Sequence, residues 1–304
     1  MRRAATSTNG LTVNTAPQQP ISDAWTVQRV LDWSIEYLRE HGSDSPRLDA
    51  EILLAHSCGW QRIQLYTNYD QPLTADQRGR MRELIQRRAK AEPVAYLVGY
   101  REFFGLDFEV DSSVLIPRPD TETLVRTALD VLKSRTEPRG LDIGTGSGCI
   151  AIAIATNCPQ ASVTAVDISG ESLMIAATNA ERHAVSDRVA FFESNVFSGV
   201  PPQQFDLIVS NPPYICDDEL AGLDADVRDH EPVGALVGGS DGLDVVRRIV
   251  SEAPEYLKSD GHLMLEIDGQ QAETVAQLLA DTGYRNVGIE KDLSGIQRVV
   301  HAEK

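Results

Sequence analysis

Apolar residues in the first part of the chain recur at helical spacing. Val27, Val30, Leu31, Ile35 and Leu38 share one helix face, Leu48, Ile52 and Leu53 belong to a second helix, and Met81, Leu84 and Ile85 to a third. The third starts at Thr74, whose hydroxyl caps the first turn while Gln77 reaches back. The spacing predicts a small helical domain over 23–95, after a frayed tail over 1–22. The texture then changes. Phe103, Phe104, Gly105, Leu106, Phe108 and Val110 alternate around a central glycine, so 96–118 reads as a β-hairpin linker. Pro117 and Pro119 close it before a helix over 121–132.

From Arg139 onward the period alternates. Short apolar runs at 141–143, 163–166, 189–192, 205–209 and 262–267 are separated by stretches read as helices, the pattern of a parallel sheet with helices on both faces. Two last runs, 287–289 and 297–301, have no helix between them and predict an antiparallel pair. The expected fold class is α/β, a Rossmann-like domain over 119–304 joined to the helical domain by the hairpin.

Composition narrows the function classes. The 304 residues, 42% hydrophobic and 24% charged, suit a globular protein with a real core. A formal net charge of −17 argues against affinity built on neutralising phosphates, so no direct nucleic-acid partner is expected. The one basic stretch, Arg78, Arg80, Arg82, Arg87, Arg88 and Lys90, reads as a solvated face, with partner docking as the alternative. Four cysteines form no C-x-x-C pair, and six histidines do not join them at ligand spacing, which fits a reduced, cytoplasmic protein without a metal. No apolar run approaches the ~18 residues of a membrane span. The first 22 residues lack an acid and an apolar core, so they are not read as a secretory signal; arginine, serine and threonine without an acid leave an organellar transit peptide as the alternative to the frayed tail. A monomer is expected.

The chemistry begins at Asp142-Ile143-Gly144-Thr145-Gly146-Ser147-Gly148, where the first sheet strand should turn into its helix. Glycines there let the backbone bend and let a ligand approach, while the helix start exposes unpaired N–H groups. Cys149 stands where the dinucleotide pattern has its third glycine. Asp167 ends the second strand, so its carboxylate should face the turn and accept the hydroxyls of a ribose; the plainer reading is a cap on the next helix. Asp142 is either a cofactor contact or a brace for the loop backbone. These features point to an adenosine-bearing ligand without choosing between NAD and S-adenosylmethionine.

The fourth strand chooses, because it ends in Asn211-Pro212-Pro213-Tyr214 at the same sheet edge. The lone pair of a planar amide nitrogen is delocalised, so the nitrogen attacks a methyl sulfonium poorly unless it is held. The Asn211 side-chain oxygen and the Pro212 carbonyl would each take one N–H, Tyr214 would pack on the flat face, and the prolines stiffen the loop. No general base is required, since the methylated nitrogen loses its proton to water. His183, in a helix, and His230, in a loop, read as structural or surface residues.

Three further strings carry a family resemblance: Glu92-Pro93-Val94-Ala95-Tyr96-Leu97, Glu102-Phe103-Phe104-Gly105-Leu106 and Ile116-Pro117-Arg118-Pro119-Asp120-Thr121-Glu122. With the glycine turn and NPPY, in order over about 25–304, the chain resembles the peptide chain release factor N5-glutamine methyltransferases. The resemblance implies a Rossmann-like S-adenosylmethionine-dependent methyltransferase sheet, a helical substrate-recognition domain and S-adenosylhomocysteine as product. The implied protein partner is a class I release factor, methylated on the glutamine of its Gly-Gly-Gln motif. Implied cofactor contacts are Gly144, Thr145, Gly146, Ser147, Gly148, Asp167, Asn195, Val196 and Asn211; implied substrate contacts are Asn211, Pro212, Pro213 and Tyr214, with Asn211, Pro212 and Tyr214 catalytic. One departure stands out: where family members often carry an acid, sometimes followed by an aromatic, this chain has Asn195-Val196, which offers adenine an amide oxygen but no stacking face. Rival readings are a ribosomal-protein glutamine methyltransferase, a DNA adenine N6-methyltransferase, a silent adaptor, and a dehydrogenase that would leave NPPY unexplained.

Overall fold

In a computed structural model the chain is described over residues 24–304; the tail read over 1–22 lies outside them. Five helices come first: α1 (Val27–Glu40), α2 (Pro46–Cys58), α3 (Arg62–Thr67), α4 (Ala75–Arg88) and α5 (Val94–Val98). Thr26 caps α1 by accepting from the Arg29 amide, and Thr74 and Gln77 form the expected capping box on α4. Val27, Leu31, Leu38, Leu53, Leu54 and Ile85 close a core of their own. Leu48 departs from expectation: α2 turns Ala50, Leu53 and Leu54 inward and leaves Leu48 43% exposed.

The basic stretch is largely absorbed by the fold. Arg80 donates twice to the Ser57 carbonyl, at 2.9 and 2.7 Å, Arg88 pairs with Asp49 at 2.8 Å, and Arg87 forks onto Glu92. These bonds staple α4 to α2 and to the loop after it.

The hairpin is narrower than the sequence suggests. Strands β1 (Tyr100–Phe103) and β2 (Leu106–Glu109) pair antiparallel. Phe104 and Gly105, both at positive φ, make the two-residue turn. Residues 94–98 are helical instead, because Gly99 in the left-handed region ends α5 just before β1.

The rest of the chain winds one sheet: α6 (Glu122–Leu132), β3 (Arg139–Ile143), α7 (Cys149–Asn157), β4 (Ser162–Asp167), α8 (Gly170–Arg182), β5 (Val189–Glu193), β6 (Phe205–Ser210), α9 (Ala225–His230), α10 (Asp244–Tyr256), β7 (Leu257–Glu266), α11 (Ala272–Asp281), β8 (Arg285–Lys291) and β9 (Gln297–Glu303). The seven-stranded order is β5-β4-β3-β6-β7-β9-β8. The first five strands are parallel, and β7–β9 and β9–β8 are antiparallel, as the helix-free tail predicted. Helices cover both faces: α6, α7 and α8 close one core and α10 and α11 the other. Two sequence readings need correcting. No helix joins β5 to β6, because 194–204 crosses back to the far side of β3 as a turn-rich loop, and His230 ends the short helix α9 instead of lying in a loop. No helix among the described residues is long and apolar enough to cross a membrane.

The hairpin is packed onto this sheet domain. Phe103 and Phe108, 1% and 0% exposed, sit in the core under α6 and α7. Asn179 on α8, fully buried, accepts from the Glu109 amide at 2.7 Å and donates to the Glu109 carbonyl at 3.0 Å and the Ser147 carbonyl at 2.9 Å. One side chain thus ties the hairpin to the glycine turn.

Candidate active site

Strand register puts the motif residues side by side. Ile143 lies opposite Val166 on β4 and Ser210 on β6, and Ser210 lies opposite Leu265 on β7. The next residue of each strand therefore reaches the same carboxyl edge: Gly144, Asp167, Asn211 and Glu266. The order also reverses here, since the chain leaves β3 for β4 and β5 and returns to β6 on the other side. Such a reversal opens a crevice between neighbouring strand ends.

The turn is shaped by its glycines. Gly144, Gly146 and Gly148 all have positive φ, and at Gly148 a Cβ would also lie 2.9 Å from Ile152 and 3.1 Å from Ala176. Over Gly144 and Gly146 an added Cβ would meet nothing within 4 Å, so the backbone there borders open space. The amides of Gly144 and Thr145 both donate to the Val166 carbonyl, at 2.8 and 3.0 Å. Asp142 accepts from the Thr145 hydroxyl at 2.7 Å, which supports the brace reading. Its complete burial pushes its pKa up to about 7, against the lowering effect of that hydrogen bond.

Asp167 faces the turn as the sequence reading required. One carboxylate oxygen accepts from the Gly146 amide at 2.9 Å and the other from the Ser169 amide at 3.0 Å. It is half-buried, so a carboxylate stands at the mouth of the crevice where a diol would bind. A glycine turn bordering open space, beside that carboxylate, fits the amino-acid and ribose ends of S-adenosylmethionine.

The NPPY segment is braced from behind by residues the sequence reading missed. A Cβ on Gly242 would fall 2.1 Å from the Tyr214 carbonyl oxygen, and one on Gly238 2.3 Å from the Pro213 carbonyl oxygen, so the 238–242 backbone presses directly on the tetrapeptide. Gln271 donates to the Tyr214 carbonyl at 3.0 Å. Pro212 is buried, and Tyr214 is enclosed enough that burial, then the nearby Glu266 carboxyl, pushes its hydroxyl up to about 12. The Tyr214 hydroxyl therefore stays neutral near neutral pH. The three glycines at 238, 239 and 242 were the available signal for this brace.

Asn211 donates through Nδ2 to the Thr121 hydroxyl at 3.4 Å. Beside Asn211 at the same strand edge lies Glu266, a carboxyl 1% exposed whose pKa burial raises to about 7. Neither Thr121 nor Glu266 was singled out from the sequence; the signal for Glu266 was an acid inside the apolar run 262–267. The rest of the Ile116–Glu122 string is also placed: Arg118 pairs with buried Glu231 at 2.6 Å, Asp120 with Arg298 at 3.2 Å, and Glu122 accepts from the Phe104 amide at 3.2 Å.

Asn195 and Val196 follow β5 at the Asp167 end of the same sheet edge, where Glu193 lies opposite Asp167 and the Ser194 amide donates to the Asp167 carbonyl at 2.8 Å. Asn195 is exposed and its amide oxygen accepts from Arg248 at 2.8 Å, while Val196, at positive φ, is buried in the core beside Phe197.

Known proteins match along the whole of this arrangement. A family model described as the PrmC N-terminal domain matches residues 29–99, and one described as the methyltransferase small domain matches 120–222. A protein of Rhodopirellula baltica named release factor glutamine methyltransferase is 47% identical over 287 residues, covering 92% of this chain and 97% of that one. One of the same name from Geobacter sulfurreducens is 48% identical over 281 residues, covering 91% and 96%. Among solved structures, the hMettl16 catalytic domain in complex with MAT2A 3'UTR hairpin 1 aligns with a TM-score of 0.55 at 17% identity over 72% of this chain and 80% of that chain, a likeness of fold.

Proposed function

As this chain belongs to the release factor glutamine methyltransferase family, we propose that it methylates the side-chain nitrogen of the glutamine in the Gly-Gly-Gln motif of class I release factors. The observation that carries this reading is the strand register that sets Asn211 beside both Gly144 and Glu266. S-adenosylmethionine supplies an electrophilic methyl on a sulfonium. The glycine turn and Asp167 would hold its amino-acid and ribose ends at the crevice.

The remaining work falls to NPPY. The Asn211 oxygen and the Pro212 carbonyl each accept one N–H of the glutamine amide, pointing its nitrogen at the methyl. Both acceptors stand ready before substrate arrives, and they favour the nitrogen as it gains positive charge. Neutral Tyr214 covers the flat face of the amide. The nitrogen forms its bond to the methyl carbon as the carbon–sulfur bond breaks, and the cationic amide then releases one proton to water.

The helical domain, 23–95, is the part proposed to recognise the release factor, with the hairpin region 96–118 joining it to the catalytic domain, 119–304. A net charge of −17 favours a protein substrate over nucleic acid. The reading places the protein in the cytoplasm, as a monomer. Incubation with radiolabelled S-adenosylmethionine and, separately, a class I release factor, mixed ribosomal proteins and duplex DNA tests it. Label on the release factor alone is expected; label only on DNA or on ribosomal protein overturns the substrate.

A further inference from the structure

We propose that Arg248 sets how this chain reads the base of S-adenosylmethionine. By engaging the carboxamide oxygen of Asn195, it leaves that side chain only N–H groups to offer, so the exocyclic amine of adenine finds no acceptor there. The inference deepens the cofactor reading above and rests on it.

The edge of the sheet gives the base its place. A nucleoside held by its ribose at Asp167 has the glycine turn after β3 on one side and the loop after β5 on the other, because β4 lies between those strands. The amino-acid end takes the turn, so the base is directed to the loop. That loop, 194–199, is tightly held. The Ser194 hydroxyl, on a residue 5% exposed, donates to the Val196 carbonyl and accepts from the Gly199 amide, both at 2.8 Å. A Cβ on Gly199 would fall 2.3 Å from the Glu193 carbonyl oxygen. The Asn195 amide donates to the Ser198 hydroxyl at 3.1 Å, and its carbonyl accepts from the Ser198 amide at 3.3 Å. With the backbone fixed, the Asn195 side chain is what remains to meet a base.

Arg248, on α10, decides which end of that side chain is free. One guanidinium nitrogen donates to the Asn195 amide oxygen at 2.8 Å and another to the Asn195 carbonyl at 3.4 Å. The third lies 3.5 Å from Glu252, one turn further along the helix. A guanidinium has donors and no acceptor, so the carboxamide atom that it meets is the oxygen. Nδ2 is left without a partner among the described residues, on an exposed side chain. The acid that family members often carry here behaves differently. A carboxylate gives one oxygen to an arginine and keeps the second for an amine, whereas a carboxamide has a single oxygen to give. What Asn195 presents is therefore a donor, suited to the lone pair of a purine ring nitrogen and not to an amine.

The test is calorimetric binding of S-adenosylhomocysteine and of its analogue in which hydrogen replaces the adenine amine. Wild type is expected to bind the two within about threefold, since no hydrogen bond to this side chain is lost. Asn195→Asp adds an acceptor and should prefer S-adenosylhomocysteine about tenfold. Arg248→Met, at an exposed position, removes the donors that hold the oxygen and lets the carboxamide turn it to the base, so the same preference should emerge. A tenfold preference already present in wild type, or a ratio that stays at the wild-type value in either variant, overturns the inference. Wild type that binds neither compound would refute the cofactor reading instead.

Discussion

In the proposed clamp, the geometry of the transfer depends on one carboxamide oxygen, that of Asn211. Replacing it with alanine removes an acceptor aimed at the reacting nitrogen while leaving Asp167 and the glycine turn in place. Asn211→Ala is expected to lower kcat about 100-fold, the scale for loss of one preorganised polar group. S-adenosylmethionine affinity, followed by calorimetry, should change little; turnover at the wild-type rate would refute the clamp. Glu266 gives a second residue-scale prediction. Folded, it holds its proton to about pH 7, whereas a glutamate in an unfolded chain titrates near its ordinary value of 4.5. Between those values the folded state binds more protons, so stability from this group is present below the lower pKa and is lost as pH rises toward the upper one. The loss amounts to about 3 kcal/mol. Denaturant midpoints at pH 5 and pH 8 should show a smaller fall for Glu266→Gln than for wild type; equal falls would contradict the burial argument.

Among elements, the hairpin is the one whose role the sequence understated. Phe108, fully buried with Phe103 in the sheet-domain core, makes β2 part of that core. Phe108→Ala should destabilise the protein by about 3–5 kcal/mol in chemical denaturation. A loss below 1 kcal/mol would mean that the hairpin is a loosely held strap. The parallel strands were legible because strands covered on both faces are continuous apolar runs, and the last antiparallel pair because no helix separates it. The five-residue α5, the exposed side of α2 and the helix-free crossing from β5 to β6 were not, because tertiary packing decides them. The site divides the same way. The glycine turn, Asp167 and NPPY are local strings whose spacing is itself the signal. Thr121 and Asn179 are common residue types whose partners, Asn211 and Glu109, lie 90 and 70 positions away along the chain.

Across the whole molecule, helical domain and catalytic domain meet near the segment that follows NPPY. Arg88 at the end of α4 lies 3.9 Å from Asp226 on α9, and the His230 ring is 3.3 Å from the Lys90 carbonyl. A release factor held by the helical domain would thus sit beside the loop that leads back to Tyr214. The central claim is that this assembly delivers one glutamine amide to one methyl group. The most direct test is fragmentation mass spectrometry of a class I release factor after reaction with S-adenosylmethionine and either wild type or Asn211→Ala. The account predicts a single added methyl on the side-chain nitrogen of the Gly-Gly-Gln glutamine with wild type, and almost none with the variant. A methyl on any other residue, or equal methylation by Asn211→Ala, would contradict it.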